Sequence, residues 1–166
     1  MSSINVTENF VAHLAIQDLL NRYTNAVNQR NAADLRELMT EDADWVLESP
    51  ETDSPQLSFN GSRQIAEGII GALSSAKMSV QMNHAPVIEV KGKQAYACST
   101  INEIIIHADG SGFFMLGTYH DDIRSCPDGE WRFQSRRFRM TYVDNSPLAG
   151  QVMEKFPRIS QKQPRD

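Results

Sequence analysis

The chain is poor in the features that most catalytic and binding machineries need. It has two cysteines, Cys98 in a strand-like run and Cys126 in a turn, and their spacing fits neither a metal site nor a disulfide framework. Two free thiols in a reducing compartment are the expectation. There is no His-x-x-x-His pair and no clustered carboxylate pattern, so no metal is expected. No Gly-x-Ser-x-Gly elbow marks an activated serine. Gly110-Ser111-Gly112 leads into strand-like sequence rather than a helix, which makes it a hairpin turn and not a phosphate loop. No cofactor is implied. No run approaches the ~20 apolar residues of a membrane span, and Met1 to Glu8 lack the basic and apolar regions of a signal peptide. A cytoplasmic protein without membrane association is expected. Basic charge is also short: 16 Lys and Arg against 21 Asp and Glu leave a net charge of −5. The densest basic run, Arg132 to Arg139, is broken by Phe133 and Phe138, so no nucleic-acid partner is expected.

What is present suits one core. At 166 residues and 40% hydrophobic the chain reads as a single domain, residues 1–166, with its core over about 7–157 and a polar, frayed tail at 158–166. From Thr7 to Arg30, Phe10, Leu14, Ile16, Leu19, Leu20, Tyr23 and Val27 recur at helical spacing. Asn31 can cap a second, shorter helix whose apolar face is Leu35, Leu38 and Met39. Ala43 to Leu47, around Trp45, reads as a strand, and Ser49 to Gly61 as a surface loop. Ser62 can cap a third helix carrying Ile65, Ile69 and Leu73, ending near Ala76. Four strand runs follow, Val80 to Val90, Gln94 to His107, Phe113 to Arg124 and Trp131 to Val143, joined by short turns that make neighbours antiparallel. Asp144 to Pro157 can form a short closing helix. Gln94 to His107 would extend about 46 Å at ~3.3 Å per residue, so the sheet must bend or bulge. The fold class is α+β: N-terminal helices packed in a strongly curved, mostly antiparallel sheet, a cone-shaped α+β barrel enclosing an apolar pocket.

Regular hairpin pairing sets Glu103 opposite Gly117, Ile101 opposite Tyr119, and Arg136 opposite Tyr119 from the other side, which puts all five on one face. The same pairing brings His84 beside Ser99 to Ile101, so that His84, Glu103 and Arg136 can converge. A single bulge would reverse any of these faces. An imidazole is well suited to moving a proton at cellular pH, although a lone strand histidine is more often structural. Glu103 lies among Ile101, Ile104, Ile105 and Ile106, where a carboxylate is costly if buried and unpaired; the alternative is a solvent-facing side chain. Arg136 can clamp an oxygen or sit in an exposed ion pair, and Tyr23 can donate a hydrogen bond or fill the core. Asn28 can orient a histidine or cap the first helix.

The order of these elements, with Ile16-Gln17-Asp18-Leu19, Asp42-Ala43-Asp44-Trp45, Gly117-Thr118-Tyr119-His120-Asp121 and Gly129-Glu130-Trp131-Arg132-Phe133, resembles the SnoaL-like branch of the nuclear transport factor 2-like superfamily over nearly the whole chain. Scytalone dehydratase, bile acid dehydratase and hexachlorocyclohexane dehydrochlorinase belong to that type and eliminate water or halide from hydrophobic rings without a cofactor. The resemblance implies His84 as the base and Tyr23 as a polar pocket residue. It implies Arg136 as the last-strand arginine, Glu103 near the acid of the bile acid enzyme, and Trp45 as an aromatic wall. Asn28 stands where the family carries an aspartate that orients the histidine. A carboxylate both fixes an imidazole tautomer and stabilises the imidazolium, whereas asparagine does only the first.

The expected function is therefore a cofactor-independent lyase or isomerase acting on a small hydrophobic molecule. His84, Glu103, Tyr23, Asn28 and Arg136 form its catalytic group, and Trp45, Ile101, Gly117 and Tyr119 line the pocket. The alternatives are a non-catalytic ligand-binding domain and the small scaffold subunit of an aromatic-ring dioxygenase. The resemblance also implies a homo-oligomer, dimer or trimer.

Overall fold

The computed structural model describes residues 6–49, 52 and 54–153. Helix α1 (Val6–Gln29) and the short α2 (Ala32–Glu37) form a corner, and Asn31 caps α2 by accepting from the Ala33 and Asp34 amides. Strands β1 (Met39–Glu48) and β2 (Leu57–Asn60) follow, then α3 (Ser62–Ala72), β3 (Ala76–Asn83) and β4 (Val87–Lys91). Three long strands complete the fold: β5 (Gln94–His107), β6 (Gly112–Ser125) and β7 (Trp131–Asp144).

Among the described residues seven strands make one open, curved sheet in the order β2-β1-β7-β6-β5-β3, with β4 pairing the remaining length of β5. The three long strands run as an antiparallel meander, as their short turns require. β1 instead joins β7 in parallel, which makes the sheet mixed, and it carries β2 antiparallel on its outer edge. The expected bending comes from register shifts between Leu116 and Gly117 and between Asp122 and Ile123, and again along β1. The helices fill the concave side. Ile16, Leu19, Leu20, Tyr23, Ala26 and Val27 are buried along α1, and Leu35, Ile65, Ala97, Ile101, Ile123 and Phe133 meet them from the other elements.

Several sequence-based boundaries need correction. Phe10 and Leu14, expected on the buried face of α1, remain exposed; periodicity fixes which side of a helix is apolar but not where the helix leaves the core. The loop at Ser49 to Gly61 contains β2, whose four residues alternate but are too few, among so many turn formers, to announce a strand. Ser62 does not cap α3. Gly61 occupies the cap position at φ 83°, Ser62 is the first helical residue, and the helix ends at Ala72. The single run Val80 to Val90 is two strands, β3 starting at Ala76, because Pro86 has no amide to give the ladder and the chain breaks at 84–86. No helix forms over residues 145–153, and the rest of the expected closing helix lies outside the described residues, as does the tail at 158–166.

The long hairpin registers are displaced by two residues from the regular pairing: Gly117 stands opposite Ile101, Glu103 opposite Met115, and Arg136 opposite Asp121. A slip of two preserves the face of every side chain, so Ile101, Glu103, Gly117, Tyr119 and Arg136 are all buried, as expected. It changes their neighbours. The space above Gly117 is not left open for Glu103: the Phe138 ring occupies it, and a Cβ at 117 would overlap that ring and stand 2.7 Å from the Arg139 carbonyl. Gly117→Ala is therefore expected to destabilise the fold by about 1–3 kcal/mol, the usual cost of forcing volume into a packed site, seen as a lower midpoint in urea unfolding.

Candidate functional site

A cavity of about 430 Å³ opens between the concave face of the sheet, α1 and α3. Its walls are almost wholly apolar. Leu47 and Trp45 come from β1, Phe59 from β2, Ile69 from α3 and Leu73 from its C-cap, Ile105 from β5, Met115 from β6, and Phe138 and Met140 from β7. Trp45 and Phe59 lie 5.8 Å apart at 32°, a tilted aromatic pair on one wall. The polar groups at its deep end are Glu103, Gln81, Tyr23 and Tyr119, each 5% exposed or less.

Glu103 is the carboxyl of this deep end. It has no hydrogen bond or ion pair among the described residues, and burial alone raises its pKa from 4.5 to about 7. Gln81 stands directly across the ladder on β3, and its buried side-chain oxygen also has no partner. Together they offer a bound molecule one titrating carboxyl and one unused amide acceptor in an apolar setting.

Beside them the Tyr23 and Tyr119 hydroxyls are 3.4 Å apart. Burial raises both phenols above their ordinary value of 10.0, and the nearby Arg136 guanidinium works in the opposite direction. Both therefore stay protonated at neutral pH and can serve as donors. Arg136 itself does not line the cavity. Its guanidinium carbon lies 3.7 Å from the centroid of Tyr23, 3.8 Å from Tyr119 and 4.3 Å from Phe133. Behind the rings its Nε is 3.0 Å from Asp121 Oδ1, and Nη2 donates to Oδ2 at 3.3 Å. Burial raises the Asp121 carboxyl to about 6 while Arg136 draws it down, which leaves it ionised at pH 7. Neither expected role fits: Arg136 is no surface ion pair and no direct clamp, but a buried cation supporting two phenols from behind.

His84 does not join this group. It is exposed just beyond the end of β3, with Nε2 2.8 Å from Asn102 Oδ1, and Asn102 points away from the face that carries Glu103. The expected convergence of His84, Glu103 and Arg136 therefore fails, because the residue of β3 that enters the cavity is Gln81. Asn28 does not reach His84 either. Its amide nitrogen donates to the Gln81 carbonyl at 2.9 Å and its oxygen accepts from the Gln81 amide at 2.8 Å, which clips α1 to β3. Ile101 and Gly117 are buried beside the cavity without lining it, whereas Trp45 and Tyr119 do line it.

Two residues of the site were missed. Asp121 falls on the alternation Gly117, Tyr119, Asp121, Ile123, which places an acid in a buried stripe. Gln81 follows from reading the β3–β5 pairing to the row of Glu103.

The open α+β cone with helices inside its curvature is the architecture of the nuclear transport factor 2-like superfamily. Residues 10–137 match the model of the SnoaL-like domain, and the chain belongs to that family. Similar solved structures include a candidate scytalone dehydratase from Novosphingobium aromaticivorans, 19% identical over 96% of this chain and 100% of that one, with a TM-score of 0.75. The LinA-type3 hexachlorocyclohexane dehydrochlorinase from Novosphingobium barchaimii is 19% identical over 89% and 97% of the two chains, with a TM-score of 0.74. A function-unknown protein from Mycobacterium tuberculosis, Rv3472 in a variant form, is 22% identical over 93% and 86%, with a TM-score of 0.70. At these identities the likeness is one of fold. A comparison with curated proteins returned no match. Among the described residues no helix is long and apolar enough to cross a membrane.

Two substitutions test the frame of the site. Arg136→Ala is expected to cost about 3–5 kcal/mol of stability, because it strands Asp121 as a buried unpaired charge, and Arg136→Met with Asp121→Leu to recover most of that loss in denaturant melts. Asn28→Asp is expected to destabilise by about 1–3 kcal/mol, since a carboxylate cannot donate to the Gln81 carbonyl that Asn28 now satisfies.

Proposed function

We propose that the protein is a cofactor-independent lyase or isomerase for a small hydrophobic molecule, with Glu103 as the group that moves the proton. The observation behind this reading is a carboxyl without a partner in an apolar cavity, titrating at about 7. A general base is most effective when its pKa lies near the working pH, and burial is a common way to bring a carboxyl there. Ionised Glu103 takes a proton from a carbon next to a substrate carbonyl; the C–H electrons move into the enolate, whose oxygen accepts hydrogen bonds from the Tyr23 and Tyr119 phenols. In an isomerisation the Glu103 proton returns to another carbon. In a dehydration it leaves with the departing hydroxide as water. The positive charge of Arg136 against both rings strengthens the phenols as donors.

A second reading, ligand binding without turnover, is favoured by Asn28. Both of its hydrogen-bonding functions are taken by the Gln81 main chain, so it adds nothing to the acidity of the cavity.

The two readings separate in one assay. Deuterium exchange at the acidic carbons of hydrophobic cyclic ketones such as β-tetralone, followed by NMR, is expected to be accelerated by the native protein. Glu103→Gln should lower that acceleration by about 10²–10⁴-fold. Ketone binding with no exchange in either protein would decide for the second reading.

Stability carries the opposite sign. The folded protein holds the Glu103 proton more tightly than the unfolded chain does, so its contribution is fullest at acid pH. That contribution is lost as pH rises from about 4.5 through about 7. The interval corresponds to a loss on the order of 3 kcal/mol. Glu103→Gln, which has no charge to bury, is expected to raise the melting temperature at pH 8 and to flatten its fall between pH 5 and pH 8.

A further inference from the structure

The chemistry above uses the deep end of the cavity and leaves its other end unassigned. Strand β5 runs the length of the cavity, with Glu103, Ile105 and His107 all on its wall. At ~3.3 Å per residue the Glu103 and His107 Cα atoms are about 13 Å apart. Glu103 is 5% exposed, whereas His107 is half-buried near the mouth, where Val143 and Asn145 are exposed. Between the two ends the wall is apolar: Ile105 on β5 and its ladder neighbour Phe113 on β6. His107 Nδ1 is 3.5 Å from Ser75 Oγ, and its Nε2 has no partner among the described residues. Charges of both signs stand around the imidazole: Asp109, whose Oδ1 is taken by the Ser111 amide and hydroxyl, and Arg30, whose Nη2 donates to the carbonyl of Ala76, the ladder partner of His107. An oxygen brought to this end would meet a ring nitrogen with hydrogen-bonding capacity to spare.

We infer that His107 is a specificity-determining residue, and that the cavity selects an elongated, two-ring-sized hydrophobic molecule with an oxygen at each end, one held at Glu103 and the tyrosines and the other at His107. The inference rests on the reading that the reacting end of the ligand lies at Glu103. It adds that the opposite end is also read by a hydrogen bond. A ligand with a single oxygen satisfies only the deep groups, and one shorter than the Glu103 to His107 span cannot satisfy both ends at once.

Isothermal titration calorimetry with para-phenylphenol and para,para′-dihydroxybiphenyl tests this directly, because the two differ only in the far oxygen. The native protein is expected to bind the diol about five- to tenfold more tightly, the worth of one hydrogen bond. His107→Ala should bring the diol to the affinity of para-phenylphenol and leave para-phenylphenol unchanged, and His107→Gln, which keeps a polar group at the rim, should retain a preference. Equal affinities in the native protein, a preference that survives His107→Ala, or binding of neither ligand would overturn the inference. Failure of the acid/base reading registers elsewhere, in the exchange assay with Glu103→Gln.

Discussion

Arg136 and Asp121 face each other across β6 and β7 with almost no exposure to water, and the deep end of the cavity is built on that pairing. Removing two ions from water costs several kcal/mol each, and the pair is tolerable only because the charges meet and three aromatic rings surround the guanidinium. The constraint runs outward from there. Tyr23 must come from α1 to cover one side of the guanidinium and Tyr119 from β6 to cover another, so the helix, two central strands and the ion pair hold one another in place. Tyr23 and Phe133 meet edge to face at 5.6 Å, and Tyr119 lies tilted by 40° against Phe138 at 4.8 Å. The phenolic oxygens that face the cavity are therefore fixed by contacts on the far side of their rings.

That arrangement explains what the sequence disclosed and what it hid. Element order and the face of each side chain on β5, β6 and β7 were legible, because alternation with period two survives a register displaced by two residues. Ile101, Glu103, Gly117, Tyr119 and Arg136 therefore appear on the concave side as read. Neighbours were not legible: the β5–β6 register is set where its turn closes, the β6–β7 pairing is shifted by bulges near Gly117 and Ile123, and neither leaves much mark on a hydrophobic pattern. Arg136 consequently looked like a partner of Tyr119 when its ion-pair partner is Asp121. The histidine was misplaced for a different reason. The β3–β5 register is the expected one, with Asn83 opposite Ile101, but His84 then falls in the row of Thr100, on the outward, even-numbered side of β5. Asn28 could not be interpreted at all without its partner: only the two hydrogen bonds to the Gln81 main chain show why an amide, which both donates and accepts, fits there.

The proton-moving role proposed for Glu103 sets function against stability. Every feature that would make it a useful base weakens the fold at neutral pH. It is buried among apolar side chains, no cation pairs with it, and Gln81 beside it leaves an oxygen unsatisfied. Arg136 is close enough to the tyrosines to act on them and is spoken for by Asp121, so it does not quench the Glu103 carboxyl. Two acids on one concave face thus stand in different states: Asp121 is paired and holds the frame, and Glu103 is left unpaired among the described residues.

The continuous ladder of β5 also bears on how such a cavity can diversify. Its odd-numbered residues from Ile101 to His107 face the helices and the cavity, and the even-numbered ones between them face away. Point substitutions at 103, 105 or 107 can change the charge, bulk or hydrogen-bonding of the lining without moving its neighbours. A one-residue insertion or deletion within the strand would instead exchange lining for exterior along everything beyond it. Divergence of ligand preference in a lineage built on this strand should therefore accumulate as replacements at fixed spacing, with length changes confined to the turns at either end.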